Sequence, residues 1–114
     1  MPSERFGDLV AEALDALPSW ARDRMDNVEV LVEDYPPPDN PDLMGLYQGI
    51  PLTERGSGYA GVLPDTITLY RSTILAESDD DEKSVRAQVR RVVAHEVAHF
   101  FGISDDRLHE LDAY

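Results

Sequence analysis

Val92-Val93-Ala94-His95-Glu96-Val97-Ala98-His99-Phe100-Phe101, closed by Gly102, places three polar groups inside an apolar run. The pattern is helical from Glu82 to Phe101 and apolar on nearly every side of its second half, which predicts a buried helix. Gly102 supplies a residue suited to the left-handed conformation that commonly closes a helix. Residues four apart stack on one helix face, so the imidazoles of His95 and His99 are expected to point at a common location. Glu96 follows His95 by about 100° around the helix and flanks that location. Two imidazoles and a carboxylate in so apolar a setting cost several kcal/mol unless something satisfies them, and a metal ion does so. His-Glu-x-x-His on a helix is a zinc motif with the glutamate as general base.

Chance is a weak competitor. With 3 His and 9 Glu in 114 residues, such a match arises somewhere with a probability of about 0.6%. Two of the three histidines lie within it. The chain has no cysteine, so any metal site must be built from His, Asp and Glu. Downstream, Gly102 allows the chain to reverse, and three further residues bring Asp105 back as the candidate third ligand. His109 and Asp106 are alternatives, because a short final helix over 104–113 turns either one toward the site.

Upstream, Phe6, Leu9, Val10, Ala13, Leu14 and Leu17 recur at helical spacing, giving an amphipathic helix over residues 4–17 that Pro18 ends. A further short turn follows over 19–24, with Trp20 as a packing residue. Val28 to Glu33 is the clearest strand, β-branched and alternating. Pro36 to Asp42, with three consecutive prolines, is an irregular connection. Leu43–Pro51 and Thr66–Arg71 are expected as two more strands around a loop or hairpin tip at Glu54–Gly58. The alternation of Thr66 to Arg71 suits a half-exposed or edge strand. The acidic run Asp79–Glu82 falls where the last long helix begins, at the favourable end of its dipole. Arg90 and Arg91 are expected to pair with the acidic surface. The fold class is therefore α+β: one domain over residues 1–114, with a small mixed sheet packed against an N-terminal helix and a buried metal-binding helix.

Composition narrows the function. Ten Lys+Arg against 23 Asp+Glu give a net charge of −13, which argues against nucleic acid and against an anionic membrane surface. The N-terminus has no basic start followed by an apolar run, and no segment approaches the length of a membrane span, so a cytoplasmic protein is expected.

The full pattern His95-Glu96-x-x-His99-x-x-Gly102-x-x-Asp105 resembles the zincin metallopeptidases. It is similar to the extended metzincin motif, with aspartate where that clan has a third histidine. Together with Gly45-Leu46-Tyr47-Gln48-Gly49-Ile50-Pro51-Leu52-Thr53-Glu54-Arg55 and Ile67 to Arg71, it resembles a family of small bacterial zincin-like proteins of minimal fold. The resemblance implies Zn²⁺ held by His95, His99 and Asp105, with Glu96 as catalytic base and proton shuttle for hydrolysis of a peptide bond. It also implies an extended peptide or protein substrate added to an edge strand, for which Thr66–Arg71 is the candidate. Tyr47, Tyr59 and Tyr70 are candidate oxyanion donors.

Metzincins carry a methionine turn after the third ligand, whereas the nine residues after Asp105 contain no methionine. The alternative expectation is thus a non-catalytic zinc-binding interaction or regulatory domain with an incomplete cleft. A third expectation has hydrolysis only when a partner chain completes that cleft.

Overall fold

The structure, a computed structural model, describes residues 1–56, 63–79 and 81–104. Helix α1 (Ser3–Asp15) buries Phe6, Leu9, Val10 and Ala13, the stripe read from the sequence, and its polar side faces outward. After Pro18 a short helix α2 (Ser19–Arg24) turns the chain into strand β1 (Val28–Glu33). Asn27, at φ +58°, takes the left-handed conformation at that corner, which asparagine tolerates better than most residues. Strand β2 (Gly45–Gln48) follows the proline-rich connection, a single 3₁₀ turn occupies Leu52–Glu54, and strand β3 (Asp65–Tyr70) leads into helix α3 (Arg71–Ala76). Helix α4 (Glu82–Phe100) carries the histidine motif. Its start is fixed by Asp81, whose carboxylate accepts from the Ser84 N–H at 2.7 Å, so the acidic run serves as a cap.

The three strands make one mixed sheet in the order β1-β3-β2, with β1 parallel and β2 antiparallel to β3. The α+β architecture expected from the sequence is the one observed. One expectation is corrected: the Thr66–Arg71 segment is the central strand, and β2 is the edge nearest α4. Alternation reports that the two faces of a strand differ in polarity, and carries no information on whether both backbone edges are paired. A second correction concerns strand length, since the strand within the 43–51 segment spans only Gly45–Gln48.

Helices α1 and α4 pack on the sheet face formed by Ile67, Leu69, Val28 and Val30. Phe6, Leu9, Val89, Val92 and Val93 fill the space between them. Each such side chain contributes about 1.5–3 kcal/mol when fully withdrawn from water. Polar pairs then line the rim of the α1/α4 interface: Arg5 with Glu82 at 2.5 Å, Arg86 with Glu12 at 3.1 Å and Arg90 with Glu12 at 3.6 Å. The pairing expected for Arg90 is present, and Arg91 donates to the Gln88 side-chain oxygen at 3.5 Å.

Helix α4 is less enclosed than its composition suggests. Val85, Val89, Val92, Val93, Glu96, Val97 and Phe100 are buried, but Ala94 is exposed and His95, Ala98 and His99 are half-buried. Alanine counts as apolar in a pattern while leaving little surface to hide, so a helix rich in it can face solvent. Trp20 is likewise mostly exposed, and packs edge-on to Phe101 with ring centroids 5.5 Å apart.

Candidate metal centre

The last two turns of α4 bring His95, Glu96 and His99 together, with one ligand atom from each lying within 4.8 Å of the others. The Nε2 atoms of His95 and His99 are 3.0 Å apart, and the ring planes stand at 90°. Two imidazole nitrogens sharing a tetrahedral zinc ion at 2.0–2.1 Å lie about 3.3 Å apart, so an opening of a few tenths of an ångström seats the ion. The other nitrogen of His99 supports that use. Its Nδ1 lies 2.8 Å from the Ile103 carbonyl oxygen, an acceptor only, so Nδ1 carries the proton and donates. The lone pair is left on Nε2, facing His95. Fixing the tautomer by a carbonyl behind the ring is the usual support of a metal-binding histidine.

Among the described residues Glu96 is the one carboxylate of the group, and it is 6% exposed. It sits against β2 at Gly45, where a side chain would collide: a Cβ there would lie 2.7 Å from Val92 Cγ1 and 3.2 Å from Glu96 Oε2. Glycine at this register position lets α4 descend onto the edge strand and sets the carboxylate against its backbone.

A cleft of about 500 Å³ opens beside His99. Tyr47, Pro51, Thr53 and Glu54 form one wall, and His99, Gly102, Ile103 and Ser104 form the other. Gly102, at φ +87°, makes the turn expected after α4, and a Cβ on it would run into Thr53. Of the tyrosines singled out from the sequence, Tyr47 lines this cleft and donates its hydroxyl to Asp65 Oδ2 at 2.5 Å. Burial, followed by the hydrogen bond to Asp65, holds the Tyr47 phenol well above the ordinary tyrosine range. Tyr70 is buried at the end of the central strand and is absent from the cleft lining. Tyr59, Asp105, Asp106, His109 and the expected helix over 104–113 lie outside the described residues, Ser104 excepted.

Sequence reasoning missed Asp65, Arg55 and Gly45. Arg55 and Gly45 stand in a stretch that carried the family resemblance, but nothing local assigns them a partner. Asp65 is nearly fully buried and accepts from Arg55 Nη2 at 2.5 Å and from the Ile50 N–H at 3.3 Å. Its partners stand 10 to 18 residues away, a separation that periodicity cannot see.

The model of the zincin-like metallopeptidase family matches residues 25–114. The chain belongs to this family. The match takes in all three strands, the 3₁₀ turn and the whole of α4, so the metal motif and its cleft lie within the shared region. Among solved structures, this zincin-like protein is similar to a conserved hypothetical protein from Thermus thermophilus. The two share 23% identity with a TM-score of 0.60, over 89% of this chain and 94% of the other, a likeness of fold. No curated protein matches the sequence. No helix among the described residues is long and apolar enough to cross a membrane.

Proposed function

We propose that this protein is a zinc-dependent peptidase acting on extended peptides. The reading rests chiefly on one observation, the convergence of the His95 and His99 Nε2 atoms beside the buried Glu96 carboxylate. His95 and His99 hold the ion, with Asp105 as third ligand. A bound zinc supplies a Lewis acid that polarises the scissile carbonyl and makes water a stronger acid. Glu96 takes the proton of the attacking water and delivers it to the departing amine. Its burial against Gly45 keeps the carboxylate aimed and removes competing bulk water.

The substrate backbone lies along the outer edge of β2, which replaces Thr66–Arg71 as the candidate edge. Strand β2 is antiparallel at the rim of the sheet and carries Tyr47 to the cleft, so a peptide added there passes the metal group.

Metal analysis of the purified protein, alongside His95→Ala, tests the reading together with turnover of a quenched fluorescent peptide library. One zinc per chain, lost in the variant together with peptide cleavage, is the expected result. Zinc retained by His95→Ala would refute the ligand assignment. One zinc per chain with no cleavage, alone or in lysate, would favour the non-catalytic zinc-binding domain, and cleavage in lysate alone would point to a partner that completes the cleft.

A further inference from the structure

The wall of the cleft facing His99 is built on a loop with little regular structure. Among the described residues, the stretch from Gly49 to Arg55 makes no sheet pairing and only one 3₁₀ turn. A segment of this kind holds its shape only where side chains fix it. Here Asp65 does so from the first position of the central strand, accepting from the Ile50 N–H at 3.3 Å, from Tyr47 Oη at 2.5 Å and from Arg55 Nη2 at 2.5 Å. Arg55 closes the loop on itself through Nε to the Ile50 carbonyl at 2.8 Å, and its guanidinium lies over the Phe100 ring, 5.0 Å from the centroid. Gly49 admits the close approach, since a Cβ there would overlap the Asp65 carboxyl group. Phe100 is the residue after His99, so the same arginine touches the loop, the sheet and the end of the metal-binding helix.

We propose that the buried Arg55–Asp65 pair positions the peptide-binding wall of the site, holding Tyr47 and the 49–55 loop as a preformed surface opposite His99. The pair is a positioning element and touches neither metal nor substrate. It rests on the peptidase reading above and adds to it the origin of peptide recognition: the ordered wall makes a peptide chain a better ligand than a small metal-binding group alone. Preorganisation of this sort raises affinity by sparing the loop its ordering cost on binding.

The test compares two probes on the zinc-loaded protein by calorimetry, acetohydroxamic acid and the hydroxamate of N-acetyl-trialanine. Arg55→Lys and Asp65→Asn are measured beside wild type, with amide hydrogen exchange recorded for each. Wild type is expected to bind the peptidyl probe at least tenfold more tightly than acetohydroxamate. In both variants that advantage falls at least tenfold, acetohydroxamate affinity stays within twofold, and exchange over 49–55 accelerates at least tenfold while α4 is unchanged. Arg55→Lys keeps the buried charge balance, so it carries the test even if Asp65→Asn fails to fold. Retention of the peptidyl advantage in a folded variant overturns the proposal, as does a wild type with no such advantage. A wild type that binds neither probe overturns the metal-centre reading and the proposal with it.

Discussion

Gly45 on the edge strand lies directly beneath Glu96 on α4, so close that a methyl group at position 45 would fall 3.1 Å from Glu96 Cγ and 2.7 Å from Val92 Cγ1. One missing side chain thus couples the depth at which the helix docks to the placement of the proposed base.

Gly45→Ala is therefore expected to act on both. Overpacking at a well-filled contact costs about 1–3 kcal/mol, so the melting temperature falls. Turnover falls further than stability accounts for, because the carboxylate is pushed off its line. Calorimetry and peptide cleavage at a temperature where the variant is fully folded separate the two effects.

Gly102→Ala tests the corner after the motif. At φ +87° an L side chain costs about 1–2 kcal/mol in backbone strain, and the added methyl also meets Thr53 on the opposite wall. The expected outcome is a destabilisation above that range, with weaker zinc retention, since Ile103, whose carbonyl fixes the His99 tautomer, is the next residue. Chemical denaturation and zinc titration measure the two parts.

Tyr47 makes a prediction in pH. Its phenol is raised above the ordinary value of about 10 by burial and then by its bond to Asp65, while Arg55 opposes the shift. A raised folded value means that its contribution is complete below pH ~10 and is lost as pH rises, because the unfolded chain releases the proton first. Wild type should lose stability above pH ~10 by up to about 1.4 kcal/mol per pH unit from this group. Tyr47→Phe should be less stable at pH 8 by about 1–3 kcal/mol, having removed a donor from a buried carboxylate, yet decline less steeply above pH 10. Guanidinium unfolding between pH 8 and 11.5 gives both curves.

Much of this was legible in the chain. The stripe of α1, the strand at Val28–Glu33 and the His95/Glu96/His99 grouping all follow from periodicity, because each depends on neighbours within one or two turns. What could not be read depends on pairing across the sequence. The central place of β3 is set by which backbone edges find partners, and its side-chain alternation is silent on that. The Asp65 cluster joins residues 47, 50, 55 and 65 through a loop whose course no local pattern specifies. Gly45 reads as an ordinary strand glycine until α4 is laid across it.

Glu96→Gln, assayed for zinc content and peptide turnover together, separates metal binding from proton transfer by the buried carboxylate. The amide keeps the shape and burial of the side chain but cannot accept a proton as a base. One zinc per chain is expected in both proteins, with a fall in kcat of about 10²–10⁴-fold in the variant. Full activity in zinc-loaded Glu96→Gln would contradict the role of Glu96 as base.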